Sequence, residues 1–231
     1  MITYKKSGVD IRKAEKIVDN LKKKFPDIGG YAGVYKIGNK KITATCDGVG
    51  TKIKIAIEYE LHEVVGEDLV AMSINDLIAG GSKPLFFLDY FACGKLNEKV
   101  FMKVLSGIKK GIKKANCVLL GGEIAEMPGM YKKGEYDLAG FACGILIKEF
   151  KKEKIKKGDL IIGLKSNGIH SNGFSLIRKI FKKKEIEKYL DLIMKPTKIY
   201  SLFAIRHSLF AKIKNISHVT GGGINLSLIH I

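Results

Sequence analysis

Arginine is scarce in this chain. Of 41 basic residues only Arg12, Arg178 and Arg206 are arginine, although the formal net charge is +18. Arginine is the side chain that reads base edges and stacks on bases, so its scarcity argues against a nucleic-acid partner. The lysines lie in solvated runs such as Lys151-Lys152-Glu153-Lys154 and Lys182-Lys183-Lys184. Together with abundant isoleucine they fit an AT-biased genome, and a basic field of this kind still draws in anionic nucleotides. Cysteine is sparse too. Cys46, Cys93, Cys117 and Cys143 form no C-x-x-C pair, which argues against a zinc site or a redox motif and predicts buried free thiols. No apolar stretch approaches the roughly 20 residues of a bilayer span, so no membrane partner is expected. The N-terminus, Met1 to Lys6, lacks the apolar core of a secretory signal, and the cytoplasm is the expected compartment.

What remains is a globular composition. The chain has 231 residues, 46% of them hydrophobic, enough for one large domain or two small ones. Ile11, Ala14, Ile17, Val18 and Leu21 recur at helical spacing and predict an amphipathic helix from Val9 to Phe25, ended by Pro26. Gly29 to Gly33 reads as a loop, and Lys41 to Cys46 as a strand running into Asp47-Gly48. A helix follows over Glu67 to Ala79, closed by Gly80-Gly81. Leu85 to Ala92 reads as a buried strand. Asn97 caps a helix running to about Ala115. Val118 to Leu120 and Leu138 to Ile147 read as further buried strands. The alternation predicts an α/β (α+β layered) fold. The polar segment Lys148 to Lys154 marks a boundary between residues 1–150 and 151–231. Leu160 to Leu164 opens the second unit, with helices expected over Gly173 to Phe181, Glu185 to Ile193 and Pro196 to Phe210.

Several constellations suit chemistry. Glu123 and Glu126 follow Gly121-Gly122, where the backbone can approach a ligand, and with Pro128-Gly129 forcing a turn they are expected on a tight loop beyond the strand Val118 to Leu120 rather than within it. Asp47 ends a strand and precedes Gly48 and Gly50, an arrangement that suits a cation beside phosphate. A turn Asp capping its own backbone reads equally well from the spacing. On the helix after Glu67, seven residues at about 100° each bring Asn75 to within roughly 20° of Asp68, with Asp76 about 80° further round. Acids on a buried helix face need a partner or a metal, and magnesium accepts a few carboxylates plus phosphate oxygens. Asp68 also suits the helix dipole as a solvated acid. Ser166 to Gly173 leads small polar residues into a helix N-terminus, which favours anions but is not a Walker A loop. His170 within it titrates near neutrality, although a lone loop histidine is more often a hydrogen-bonded structural residue. Thr220-Gly221-Gly222-Gly223, after His218, offers a second cradle or a plain flexible loop. Lys22 is one of three successive lysines on a solvated helix face.

These segments together resemble a known family. Asp47-Gly48-Val49-Gly50-Thr51-Lys52, Asp68 to Met72, Asn75-Asp76-Leu77, Pro84 to Tyr90, Gly121 to Tyr131, His170 to Gly173 and Thr220 to Gly223 stand in the order of the phosphoribosylformylglycinamidine cyclo-ligases, or AIR synthases. The resemblance runs from Tyr4 to Gly223. It implies ATP-dependent ring closure of a small nucleotide substrate, with Mg2+ held by Asp47 and Asp76 and by Asp68. His170 and Glu123 become the catalytic candidates. ATP contacts are implied at Lys22, Gly48, Gly50, Thr51, Lys52, Asn75, Gly121 and Gly122. Substrate contacts are implied at Ser166, Asn167, Gly168, Ser171, Asn172, Gly173, Thr220, Gly221 and Gly222. The implied fold is a four-stranded N-terminal sheet that pairs with its twin in a homodimer, followed by a partial C-terminal domain. Family members continue well past the triple glycine, and Leu226 to Ile231 match nothing in them, so a truncated and inactive fragment is one expectation. Thiamine-monophosphate kinase and selenophosphate synthase are rivals of the same superfamily. The latter usually carries an N-terminal Cys or selenocysteine, and none precedes Cys46. The Glu126 to Tyr131 segment favours the cyclo-ligases. A basic nucleic-acid binder is the rival from another class.

Overall fold

The computed structural model describes residues 4–150, 154–200 and 213–224. Among them are five strands: β1 (Gly33–Ile37), β2 (Lys40–Gly48), β3 (Ser82–Cys93), β4 (Val118–Glu126) and β5 (Tyr136–Leu146). Seven helices accompany them: α1 (Ile11–Lys24), α2 (Lys52–Glu58), α3 (His62–Ala79), α4 (Glu98–Ala115), α5 (Phe174–Ile180), α6 (Lys183–Lys188) and α7 (Leu190–Ile193). The strands form one sheet in the order β1-β2-β5-β3-β4. Neighbours are antiparallel except β3 and β4, which run parallel and are joined through α4. The expected four-stranded sheet is therefore corrected to five. The added strand is β1, and Gly38-Asn39 between two strand-forming runs carries its hairpin signal.

One face of the sheet is covered. Helix α3 packs against β2, β3 and β5, and α4 packs on α3. Because α3 lies between sheet and helix, nearly its whole circumference is buried, from Val65 and Leu69 to Leu77 and Ile78. Phe87, Phe91, Leu138 and Ala142 meet it from the sheet. Helices α3 and α4 approach unusually closely, and glycine makes this possible. A Cβ on Gly107 would stand 1.9 Å from the Glu63 carbonyl oxygen, and one on Gly66 would stand 2.0 Å from that of Val104. Lys110–Glu63 and Lys114–Glu67 ion pairs flank the crossing.

Among the described residues no helix packs on the other face. Tyr90 on β3 and Phe141 on β5 are each 38% exposed there. Strand β4, expected to be buried, is an exposed edge with Val118, Leu119 and Leu120 accessible, because it pairs on only one side. Of the thiols expected to be buried, Cys93 and Cys143 are, Cys117 is half-buried and Cys46 is exposed. Helix α1 is capped by Asp10, whose Oδ1 accepts from the Lys13 N–H at 3.1 Å, and it buries no residue.

Beyond residue 154 three expectations change. Leu160 and Ile161 lie outside any strand at 92% and 91% exposure. The helix expected over Glu185 to Ile193 begins at Lys183 and divides at Tyr189 into α6 and α7. Residues 195–200 are irregular rather than helical, because side chains of α3 claim their backbone groups. The rest of that expected helix, 201–210, lies outside the described residues. No helix among the described residues is long and apolar enough to cross a membrane. Gly107→Ala forces apart a backbone contact that cannot yield, so it is expected to lower stability by about 1–3 kcal/mol in a denaturant titration. An unchanged midpoint would refute the close crossing.

Candidate functional site

Asp47 stands near the end of β2. Its register partner across the sheet is Gly140 on β5, which in turn faces Asp89 on β3, and Asp89 faces Gly122 on β4. Directly opposed residues share a face. A Cβ on Gly140 would meet Phe87 and Leu69, so the shared face is the one beneath α3. Asp76 on that helix acts on Asp47 through its charge. Burial pushes the Asp47 carboxyl above its usual range, and the negative charge of Asp76 adds to the rise. The Gly48 N–H, donating to Asp47 Oδ1 at 2.7 Å, and the charge of His218 pull it back. His218 Nδ1 lies 2.7 Å from Asp76 Oδ1. The local sequence contains no signal for this pairing, which spans 142 positions.

The His218 backbone is also tied to the glycine loop. Its N–H donates to the Tyr31 hydroxyl at 3.1 Å, and that hydroxyl shares a hydrogen bond with Ser217 Oγ at 2.8 Å. Tyr31 lines a cavity of about 760 Å³, walled by Phe25, Pro26, Ile28 and Thr45 and reached by Lys24. Past His218, Gly223 closes a turn onto the Thr220 carbonyl. A Cβ on Gly221 would lie 3.5 Å from Asn172 Oδ1, so the triple-glycine turn adjoins the Ser166–Gly173 loop.

A second cluster lies deeper. Lys52 and Asp68 are completely buried, with Nζ 2.7 Å from Oδ2. Lys52 Nζ also donates to the carbonyls of His170 at 2.9 Å and Lys195 at 2.8 Å. Asp68 Oδ1 accepts from the Thr197 N–H at 2.6 Å and from its hydroxyl at 2.7 Å. Asn75 donates to the Lys198 carbonyl at 2.9 Å and accepts from the Tyr200 N–H at 3.1 Å. Ser171 Oγ reaches Thr197 Oγ1 at 3.0 Å, and Asn167 donates to the Pro196 carbonyl at 2.9 Å. Asp68 and Asn75 thus share a helix face, as their seven-residue spacing predicts, and both grip one backbone segment.

This geometry corrects several expectations. Asp68 is paired with Lys52 and Thr197, not grouped with Asp47 and Asp76 as a third metal ligand. Lys52 has no exposed surface with which to meet a phosphate. Both ends of the Asn75 amide are engaged by the backbone of residues 198 and 200. His170 adopts a left-handed backbone at φ 65. Burial, helped by the Lys52 charge, pulls its imidazole below the usual range, and Nε2 lies 3.5 Å from the N–H groups of Asn167 and Lys198. Gly48 and Thr51 bracket the turn from β2 into α2, with Gly50 between them at φ 75. Lys22 lies half-buried in the last turn of α1. Ser166 is exposed, and the backbone of Gly168 packs toward Leu192 and Lys195. Gly173 opens α5 at φ 81. Gly222 lies in the triple-glycine turn.

Glu123 and Glu126, expected on a loop, are residues of β4 itself, and Glu123 stands apart. Strand β4 is three places from β2, roughly 14 Å at about 4.8 Å per step. Gly122 lies beneath the Asp89 carboxylate, where a Cβ would stand 2.3 Å from Oδ1, and the next residue along the strand points to the opposite, open face. Glu123 therefore does not join Asp47 and Asp76, and Gly121 lies on the same exposed edge.

Comparison with known proteins gives this arrangement its context. Residues 29–146 match the family described as AIR synthase related protein, N-terminal domain. Residues 156–228 match the AIR synthase related protein, C-terminal domain. The chain belongs to the AIR synthase family. A phosphoribosylformylglycinamidine cyclo-ligase of Thermoanaerobacter pseudethanolicus is 48% identical over 249 residues, covering 96% of this chain and 73% of that protein. The chloroplastic/mitochondrial cyclo-ligase of Vigna unguiculata is 46% identical over 234 residues, and there the chain spans 60% of the relative's length. Among solved structures, thiamine monophosphate kinase from Aquifex aeolicus superposes with a TM-score of 0.58 at 18% identity, covering 86% of this chain and 66% of that one. That likeness concerns the AIR synthase fold alone. No group of three or more His, Cys, Asp or Glu side chains among the described residues could by itself hold a metal. Asp47 and Asp76 are oxygen donors of the kind magnesium takes, and a positive charge there would offset the burial of the Asp47 carboxyl, with the ion's other ligands coming from phosphate oxygens and water.

Removing one member of a buried pair strands the other's charge. Lys52→Met is therefore expected to cost about 3–5 kcal/mol in a denaturant titration. The double variant Lys52→Met, Asp68→Leu recovers part of that loss. A single variant as stable as wild type would overturn the pairing.

Proposed function

We propose that this chain carries the ATP and Mg2+ machinery of a phosphoribosylformylglycinamidine cyclo-ligase, a ligase of purine biosynthesis. One observation carries the reading: Asp76, whose charge acts on Asp47, is joined through His218 to Tyr31 in the wall of a cavity of about 760 Å³, in a chain 41–48% identical to cyclo-ligases. The reaction is ATP-dependent cyclisation of formylglycinamidine ribonucleotide to 5-aminoimidazole ribonucleotide. The γ-phosphoryl group passes from ATP to the formamide oxygen, leaving ADP. A nitrogen of the substrate attacks the activated carbon, the C–O bond breaks, and phosphate departs as the ring closes. A bound magnesium ion would supply charge neutralisation for the phosphates.

The chain's own residues orient and enclose. Phe25, Pro26 and Ile28 offer apolar walls to a base, and Lys24 offers a cation at the rim. Asp47 and Asp76 hold the ion. Asn172 and the turn from Thr220 to Gly223 face one another and suit the ribose phosphate. His170 stays in the reading as a proton carrier, held neutral by its buried setting. Glu123 on the open face suits a role toward a second copy rather than toward its own acid pair.

A homodimer belongs to the same reading. Exposed Tyr90 and Phe141 on an otherwise uncovered sheet face support burial against a twin. In this reading the chain divides near residue 150 into an N-terminal unit for ATP and dimerisation and a second unit for substrate. The setting is cytoplasmic, in keeping with four cysteines kept as free thiols.

ATP with Mg2+ is expected to raise the melting temperature of the wild-type protein and not that of Asp76→Ala, and the variant is expected to release phosphate at least about 100-fold more slowly. Wild-type turnover in Asp76→Ala refutes the assignment. Phe141→Glu is expected to shift the protein from dimer to monomer in sedimentation, and an unchanged dimer places the interface elsewhere.

A further inference from the structure

We propose that His218 is a built-in competitor for the cation at Asp76: its imidazole occupies the carboxylate until a divalent ion displaces it, and that displacement loosens the segment before the triple glycine. The inference rests on the reading of Asp47 and Asp76 as a cation site. A carboxylate only accepts, so the proton of the 2.7 Å contact belongs to His218 Nδ1, which donates to Asp76 Oδ1. The positive end of that N–H bond points at the oxygen a cation needs. The contact is well sheltered, with only 11% of the His218 side chain and 18% of the Asp76 side chain exposed, so water weakens it little. His218 is also close enough to Asp47 for its charge to be felt there. An arriving ion therefore meets Asp76 already engaged by the imidazole.

The contact has a mechanical second end. The residue that holds Asp76 also donates its backbone N–H to Tyr31, and its neighbour Ser217 bonds the same hydroxyl. Tyr31 lines the cavity wall. Release of the imidazole from Asp76 removes the side-chain hold on His218 while its backbone stays bonded to Tyr31. Cation loading thus reaches both the cavity loop and the turn from Thr220 to Gly223.

The test is a titration of the 231-residue protein with Mn2+ alone, without nucleotide, with free ion followed by electron paramagnetic resonance. His218→Phe keeps the ring and removes the donor, and His218→Ala removes both. Each is expected to bind Mn2+ about tenfold more tightly than wild type. Tyr31→Phe, which releases the second tether without touching the site, is expected to move binding the same way by a smaller factor. In wild type, amide exchange at residues 217–223 is expected to quicken on adding Mn2+, and in His218→Phe to be fast from the start. Equal or weaker Mn2+ binding in the His218 variants, with Asp76→Asn binding none, overturns the competitor role while leaving the acid pair standing. Equal binding by wild type and Asp76→Asn removes the acid pair itself, and this inference falls with it.

Discussion

Two opposite charges taken out of water dominate the architecture. An ion such as Lys52 costs several kcal/mol to bury, and attraction to Asp68 repays this only if every remaining donor and acceptor finds a partner. That condition recruits the surroundings. The ammonium group has three donors and meets three oxygens, from Asp68, His170 and Lys195. The carboxylate takes both polar hydrogens of Thr197. Two residues of the first unit thereby dictate the path of two segments of the second, including the left-handed turn at His170. Loops of this composition would otherwise sample many conformations.

The acid pair obeys a different constraint. Asp47 is placed by strand register and Asp76 by the helical turn, so neither depends on loop conformation. The Lys52–Asp68 pair fixes the Ser166–Gly173 loop, and the sheet and helix fix the carboxylates. Where these meet, around His218 and Gly221, rigid groups face a turn rich in glycine. Fixed charges opposite an adaptable backbone suit a phosphate-bearing ligand, whose oxygens vary in position along a reaction.

Much of this was legible in the sequence. Helical spacing put Asp68 and Asn75 on one face, and Asn97 marked the start of α4 through its bonds to Lys99 and Val100. The family resemblance identified the segments that matter. What could not be read was which polar groups satisfy one another. A lysine after Gly-Val-Gly-Thr resembles a phosphate ligand until a buried aspartate on the next helix claims it, and partner choice across the fold leaves no local periodicity. Strand β4 was misjudged for a related reason: an apolar run signals burial, but only strand order tells whether it lies inside the sheet or at its rim. The segment 195–200 was misjudged because helix propensity is a weak prior beside backbone groups claimed by Asp68 and Asn75.

Strand order also bears on how the chain is made. Strand β5 is the last of the five in sequence, yet it lies between β2 and β3. Until its final residues emerge from the ribosome, the nascent polypeptide holds two separate ribbons, β1 with β2 and β3 with β4, and neither can dock edge to edge in the native way. Synthesis must therefore pass Leu146 before the sheet can close, and only then does Asp47 acquire a neighbour across its free side.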